Sequence, residues 1–420
     1  MNTMYTQSDN KDFAKKIAVI GGGPAGMMAA GTALEYGADV TIFEHTDRLG
    51  KKLAITGKGR CNITNNCTVN DFLENVTVNP RFLYAALNAL SPEKTIEFFE
   101  SLGVETKTER GNRVFPVSDK AKTVVDAMKR YAKGASVVYE HVTAVSLNGD
   151  GTFNVKAKET RTFDAVIIAT GGRSYPLTGS DGSGYKLAIS FGHTVTQLSP
   201  SLVPLTSSSR VCADMMGLSL KNVAIKISDK NGRVLYTDFG ELMFTHFGVT
   251  GPVILSASAH LKGACISELS LSIDLKPALD EKTLDARILS DFSKNANKCY
   301  SNSLGALLPS KMIDTFVRLS GVPAYKKVNS ITKAERQKIL LLLKNFVIPL
   351  SGTRPIEEAI ITSGGISTKE IDPKTMRSKL VENLYFAGEI IDVDAYTGGF
   401  NLQIAYSTGY LAGKNAAGGF

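Results

Sequence analysis

The residues best suited to hold a reactive group lie near the start of the chain. Ile17-Ala18-Val19-Ile20 runs into Gly21-Gly22-Gly23-Pro24-Ala25-Gly26, and Glu44 closes Asp39-Val40-Thr41-Ile42-Phe43. The pattern predicts strand, tight turn, helix, strand and acid. Gly21 permits the turn, Gly23 lets backbone approach a pyrophosphate, and Gly26 lets the helix pack on the strand. The helix start at Pro24 and Ala25 offers free N–H donors to phosphates. Glu44 can accept both hydroxyls of an adenosine ribose, and an acid there disfavours a 2′-phosphate. The chemistry is that of a bound dinucleotide.

Composition sets the frame for these residues. At 420 residues, two or three domains are expected. The most apolar stretch, Ile17 to Ala30, is broken by Gly-Gly-Gly-Pro, so no membrane span and no membrane partner are expected. The opening Met1 to Asn10 is polar and lacks the apolar core of a secretion signal, which predicts a frayed tail and a cytoplasmic protein. Five cysteines, Cys61, Cys67, Cys212, Cys265 and Cys299, are widely spread with no CxxC and no metal-ligand spacing, so reduced thiols and no metal are expected. The formal net charge is +8, but Lys and Arg are scattered, and Lys333 to Lys344 is interrupted by Ile339 to Leu343. That pattern reads as a solvated helix face, with a small-molecule substrate and no nucleic acid partner.

The elements that must position the site follow from periodicity and punctuation. Lys51 to Asn65 reads as a glycine-rich loop, with helices over Arg81 to Leu102 and Ala121 to Lys133. Ser136 to Glu140, Ala144 to Leu147, Phe153 to Ala157 and Asp164 to Ala169 read as strands, the middle pair joined by Asn148-Gly149-Asp150-Gly151. From about Gln197 to Leu275 short alternating strands predict an inserted β domain, followed by helices over Leu284 to Phe292, Ser310 to Leu319 and Lys333 to Phe346. Near Pro355 the chain returns to the first domain, with a buried strand at Leu384-Tyr385-Phe386. The division expected is 1–196 and 353–420 for the dinucleotide domain, 197–276 for a β domain and 277–352 for a helical subdomain.

Four blocks together resemble one family. They are Gly21 to Gly26 with Glu44; Thr56-Gly57-Lys58-Gly59-Arg60-Cys61-Asn62-Ile63-Thr64-Asn65; Phe244-Thr245-His246-Phe247-Gly248-Val249-Thr250-Gly251-Pro252; and Ala387-Gly388-Glu389 with Gly398-Gly399-Phe400-Asn401-Leu402-Gln403. They resemble the BaiN-like flavoproteins, a family that also contains aminoacetone oxidases. The resemblance implies an α/β fold: a split Rossmann-like FAD-binding domain with an inserted β-barrel-like domain and a small helical subdomain. It implies FAD as the dinucleotide, with Gly57, Gly59, Arg60, Cys61 and Asn62 along one side of the ring, Lys52 and Thr56 among the cofactor-binding residues and Val142 presenting backbone to the adenine. Ala169, Thr170 and Gly171 belong to the same set.

The distant segment supports FAD in its own right. A flavin needs a second holding segment, and Gly388-Glu389, with Gly399-Phe400-Asn401-Leu402 opening a helix, can supply it. That helix start would set N–H groups where negative charge develops on reduction.

Two reactions fit such a site. One is reduction of an activated carbon–carbon double bond, as in related bile-acid 3-dehydro-Δ4,6-reductases, with NAD(P)H as a possible transient electron donor. The other is oxidation of a small amine such as aminoacetone, with electrons returned to oxygen as hydrogen peroxide. No second GxGxxG marks a separate nicotinamide domain, because Gly179-Ser180-Asp181-Gly182-Ser183-Gly184 follows no complete strand. The residues chosen for catalysis are His246, Arg60 and Tyr396, and reduction is the favoured reaction.

Overall fold

Ile17, Ala18, Val19 and Ile20 are at most 5% exposed, as a strand covered on both faces of a parallel sheet requires. The computed structural model describes residues 14–419 and places Lys16–Ile20 at the centre of a five-stranded parallel sheet. Its strand order is Leu384–Phe386, Ala165–Ile168, Lys16–Ile20, Asp39–Phe43, Ser136–Val138. One edge strand therefore comes from the far end of the chain. The polar segment Met1 to Asn10 lies outside the described residues.

The chain divides into two compact units. Met1–Pro200 with Ile356–Phe420 form the first, and Ser201–Pro355 form the second.

In the first unit the Pro24–Glu35 helix packs along the Phe400–Ala416 helix. Their backbones approach closely. A Cβ on Gly409 or Gly413 would stand 2.4 or 2.3 Å from the carbonyl oxygens of Ala25 and Ala29. Two features of this unit differ from the sequence expectation. The helix expected over Arg81 to Leu102 is broken into Pro80–Leu83, Tyr84–Ala89 and Pro92–Ser101. Pro92 cannot continue a helix from its preceding residues, and Ser91 caps the new start by accepting the Lys94 N–H. A small antiparallel sheet of Thr64–Asn65, Arg113–Pro116 and Thr106–Glu109 was not expected at all. The Asn148–Gly151 turn joins Ala144–Leu147 to Phe153–Lys156, and a further strand, Thr160–Phe163, completes that meander.

The second unit is a seven-stranded antiparallel sheet. Its order is Phe346–Pro349, Leu269–Asp274, Ser219–Asp229, Val234–Thr245, Gly248–Thr250, Leu205–Thr206, Gly352–Thr353. The two edge strands are separated only by Leu350 and Ser351, and an extended residue spans at most about 3.6 Å. The sheet must therefore curl until its edges meet, which is barrel-like closure; Ser207 Oγ donates to the Pro349 carbonyl across the seam at 2.6 Å. Helices Glu281–Lys294, Ser310–Ser320 and Lys333–Lys344 occupy the crossover between Leu269–Asp274 and Phe346–Pro349. Phe346, read from sequence as the end of a helix, instead opens a strand. Asn345 leaves the helical region, and burial then alternates along Phe346–Pro349. The helices are an excursion within the sheet, so no break in the fold falls at 276/277.

Charge divides unevenly between the units. Residues 201–355 carry 20 Lys and Arg against 12 Asp and Glu, whereas the rest of the chain carries 28 of each. Basic residues that look scattered along the sequence are thus in excess only in the second unit.

Candidate functional site

The glycine turn sits at the C-terminal end of the central strand. Gly21 has φ +106°, and a Cβ there would lie 2.4 Å from the Ala169 carbonyl oxygen. A Cβ on Gly26 would lie 1.9 Å from the Gly21 oxygen. Gly23 differs from both. Its φ is −77°, open to any residue, and a Cβ would meet nothing within 4 Å. Nothing inside the chain requires glycine at that position, and the space before the helix start is open to an approaching group. No side chain caps this helix, whose first residue is Pro24.

Glu44 stands beside the turn, only 7% exposed. Its Oε2 accepts the Gly22 N–H at 2.9 Å and its Oε1 the Thr46 N–H at 2.7 Å. Val142 is buried close by, where the His141 ring meets the His45 ring edge-on. Ala169 and Thr170 lie against Gly21, the Ala169 N–H donating to the Ile20 carbonyl, and Gly171 follows with left-handed φ beside Ser180.

Two motifs more than 300 residues apart meet in this unit. Thr64 Oγ1 donates to Gln403 Oε1 at 2.6 Å and Asn65 Nδ2 to the Gly398 carbonyl at 3.1 Å. A Cβ on Gly399 would lie 2.3 Å from the Thr64 backbone. Gln403 Nε2 in turn donates to the Leu90 carbonyl and Thr95 Oγ1. This buried network fixes the start of the Phe400–Ala416 helix, which has Gly399 at its N-cap and no side chain over its free N–H groups. Asn401 turns its side chain inward, exchanging hydrogen bonds with the Ala395 N–H and carbonyl, which leaves backbone as what it and its neighbours Phe400 and Leu402 present.

The preceding loop is tightly wound. Gly57, Lys58, Gly59 and Cys61 all have left-handed φ, and the Cys61 N–H donates to the Thr56 carbonyl. Lys58 and Cys61 hold this conformation without being glycine, a strain typical of sites where backbone shape is functional. Cys61 is fully buried, and burial pushes its thiol up to about 12, so it is a packing residue and not a thiolate.

Glu389 is held from three directions. Its Oε2 pairs with Lys52 Nζ at 2.8 Å, and its Oε1 accepts Ser174 Oγ at 3.0 Å and the Thr362 N–H at 2.8 Å; Lys52 also donates to Ser174 Oγ at 2.7 Å. Ser174 and Thr362 were not foreseen, and no spacing signal links them to Glu389. Gly388 brings this turn onto the first helix, since a Cβ there would lie 2.8 Å from the Ala25 Cβ. Asn62 Oδ1, Thr170 Oγ1, Ser180 Oγ and Tyr185 OH are among the buried polar atoms of the unit that have no hydrogen-bond partner. Such atoms ask for a polar ligand or water, and two of them, on Asn62 and Thr170, are residues chosen from sequence for FAD. Together with the open space before Gly23, the residues present fit the cofactor.

Of the three residues chosen for catalysis, Arg60 and Tyr396 lie in the first unit and His246 in the second. The Arg60 guanidinium pairs with Glu109 and Asp119 at 2.5 Å each and lies 4.2 Å over the Phe115 ring. Its hydrogen bonds hold the Glu109 carboxyl below its ordinary range, and hydrogen bonds from Lys107 and then Arg60 do the same for Asp119. A guanidinium so engaged is a clasp on the small sheet, and its backbone is part of the wound loop. Tyr396 is partly buried against the core of the first unit and donates its N–H to the Asn75 carbonyl. His246 belongs to the second unit, exposed in the hairpin between Val234–Thr245 and Gly248–Thr250.

Comparison with known proteins places this geometry. Residues 15–415 match the HI0933-like protein Rossmann domain family. The chain belongs to that family. It is 32% identical to the 3-dehydro-bile acid delta(4,6)-reductase of Clostridium scindens over 96% of this chain and 99% of the relative. It is 27% identical to the ribosomal RNA dihydrouridine synthase of Escherichia coli over 94% of this chain and 96% of the relative. Among solved structures it resembles a Rhodococcus jostii 3-ketosteroid-delta4-(5alpha)-dehydrogenase (TM-score 0.52, 14% identity, 98% of this chain and 99% of that one). It also resembles a flavocytochrome c3 fumarate reductase (TM-score 0.51, 15% identity, 96% of this chain and 78% of that one). At these identities the structural likeness shows the fold alone. As a member of the HI0933-like family, the chain is an FAD-dependent oxidoreductase. No helix among the described residues is long and apolar enough to cross a membrane.

Proposed function

We propose that this HI0933-like protein reduces a carbon–carbon double bond conjugated to a carbonyl, in a small molecule, with NADH or NADPH as transient electron donor. The observation that carries the reading is likeness along nearly the whole chain to two kinds of relative, both named for chemistry on such a bond. In a 3-dehydro-Δ4,6 bile acid the unsaturation is conjugated to the 3-oxo group, and uridine differs from dihydrouridine by the double bond conjugated to its ring carbonyl.

FAD, when bound, supplies hydride transfer. The chain's own residues share the remaining roles. Gly21, Gly23, Pro24, Ala25 and Gly26 seat the pyrophosphate on the helix start, and Glu44 takes the ribose hydroxyls. Gly388, Glu389 and Lys52 line the sugar-alcohol chain, with Val142, Ala169, Thr170 and Gly171 on the adenosine side. The Thr56 to Asn62 backbone flanks the ring, and the N–H groups of Phe400, Asn401 and Leu402 lie where negative charge develops. Protonation of the carbon alpha to the carbonyl falls to Tyr396 or His246.

The test is the visible spectrum of the purified protein under anaerobic conditions. Bleaching by NADH or NADPH, and recovery on adding a conjugated enone without oxygen, is the expected result. A flavin that ignores nicotinamide, is reduced by a small amine and releases peroxide in air would overturn the reading in favour of an amine oxidase.

A further inference from the structure

The loop Thr56 to Asn62 holds four left-handed residues, and two of them, Lys58 and Cys61, carry a Cβ that resists the conformation. Such a shape persists only where its surroundings over-determine it. Within the loop, the Arg60 N–H donates to the Gly57 carbonyl and the Cys61 N–H to the Thr56 carbonyl. The rest of the hold comes from the small sheet. The Arg60 guanidinium donates to both Glu109 oxygens and, through Nε at 2.8 Å, to Asp119 Oδ1, while Lys107 Nζ meets Asp119 Oδ2 at 2.6 Å. Glu109 ends one strand of that sheet and Asp119 follows another, so the planar fork of an arginine is what spans the two. Phe115 is buried against the same loop, its ring centre 4.2 Å from the guanidinium carbon and its edge 3.5 Å from where a Gly57 Cβ would stand.

The same sheet holds the second segment that faces the flavin. The Ile63 N–H donates to the Val114 carbonyl, and Thr64 pairs with Val114 in the sheet. One residue on, Asn65 Nδ2 donates to the Gly111 carbonyl at 3.0 Å, in the turn between the other two strands, and to the Gly398 carbonyl at 3.1 Å. The wound loop and the start of the Phe400–Ala416 helix are therefore tied to one short piece of structure, with Thr64–Asn65 as the shared strand. Stability alone does not account for the charged cluster on it. The side chains of Arg60, Glu109 and Asp119 are 35%, 30% and 44% exposed, and ion pairs this exposed add little to global stability.

We propose that Glu109 and Asp119, acting through Arg60, are positioning residues for the flavin. They set the backbone of Thr56 to Asn62 against the N–H groups of Phe400, Asn401 and Leu402, and thereby fix both how tightly the ring is held and how readily it is reduced. The help that backbone N–H groups give to a developing negative charge falls with their distance from it, and a misplacement of about 1 Å can cost on the order of a hundredfold. This role rests on the reading above in which the wound loop and the helix start flank the ring.

The test uses the full-length protein, FAD-loaded and as apoprotein, with two variants that open the clasp from opposite sides of its charge: Glu109→Gln combined with Asp119→Asn, and Arg60→Met. Each is read by titration of the apoprotein with FAD, by the flavin reduction potential against a reference dye, and by the melting temperature of the apoprotein. Both variants should lose FAD affinity on the order of tenfold and shift the potential in the same direction, with melting temperatures close to wild type. Arg60→Lys, which can meet one carboxylate but not span two, should fall between. Shifts in opposite directions would mean charges acting through space, and FAD loss that merely follows a lower melting temperature would make the cluster a structural brace; either result overturns the proposal. Asn62→Ala, which removes a buried Oδ1 with no partner, separates the clasp from its premise. Weaker FAD binding in Asn62→Ala but not in the clasp variants would overturn the clasp and keep the loop at the flavin, whereas undiminished binding in all of them would overturn both.

Discussion

Helices begin in two contrasting ways in this molecule. In the second unit, Glu281–Lys294 starts under Asp280 and Lys333–Lys344 under Thr332, whose partner Glu335 completes a capping box, and each carries an acid in its first turn. In the first unit, Pro24–Glu35 and Phe400–Ala416 start at Gly23 and Gly399 with neither a capping side chain nor a first-turn acid. The former helices satisfy their N-terminal N–H groups and dipole within the chain. The latter leave both to whatever arrives; Gly21, Gly26 and Gly399 serve close backbone approach within the chain, and Gly23 faces open space. Pro252–Ala259 and Ser183–Ser190 also start behind a glycine without an N-cap side chain, so an absent cap points to a ligand only together with the open space found before Gly23.

The contrast makes specific expectations. Gly26→Ala forces a Cβ against the Gly21 oxygen and should cost about 3 kcal/mol of stability together with FAD, whereas Gly23→Ala should melt within about 0.5 kcal/mol of wild type yet retain FAD at least tenfold less well. Thermal denaturation and flavin release measured on both variants decide the matter; undiminished FAD in Gly23→Ala would mean that the open space is not the cofactor's. Glu44→Ala should lose roughly 2 to 3 kcal/mol of FAD affinity with the loss of charge-assisted hydrogen bonds, measured by titrating the apoprotein with FAD, and unchanged affinity would remove the ribose assignment. Thr332→Ala should cost about 1 kcal/mol of stability in chemical denaturation and leave flavin content alone. If flavin content fell with it, capped and bare starts would not be separable.

The smallest effect is one of pH and belongs to the first unit. His193 is buried, its Nε2 2.8 Å from Ser378 Oγ and its Nδ1 3.3 Å from Glu370. Burial lowers its basicity, with Glu370 opposing the effect in part. The unfolded chain thus binds a proton more readily than the folded one, so stability present above about pH 6.5 should decline as pH falls below that value. Glu370, itself held below its ordinary range, adds loss in the same direction at lower pH. Denaturation midpoints at pH 7 and pH 5 should differ less in His193→Gln than in wild type; an equal difference would assign the decline to other groups.

Local chemistry made the first strand, its glycine turn and Glu44 readable, since strand, turn and acid all lie within thirty residues. The second half of the same domain was readable from Gly388-Glu389 and Gly398 to Gln403, because glycines that serve close approach leave a mark in sequence. What escaped notice depends on partners far away. Arg60 finds Glu109 and Asp119 only through the Thr64–Asn65, Arg113–Pro116 and Thr106–Glu109 sheet, whose short strands lack a periodic signature. Ser174 and Thr362 reach Glu389 from separate turns. The break at Pro92 was legible in principle, because Ser91-Pro92 is both a cap and a stop. The charge imbalance was legible in principle, since the insertion expected at 197–352 nearly coincides with the second unit.

The seam of the second unit bears on how the chain is made. Leu205–Thr206 pairs with Gly352–Thr353, so the points at which the polypeptide leaves and re-enters the first unit are hydrogen-bonded neighbours. During synthesis, Leu384–Phe386 and the Phe400–Ala416 helix emerge last, long after the four strands they must join. Once the second unit has closed, the intervening residues no longer act as a long floppy tether but as a short clip, and the entropic cost of bringing the final strand home is that of a small loop. A folded insertion thereby shortens the loop that the interrupted domain has to close.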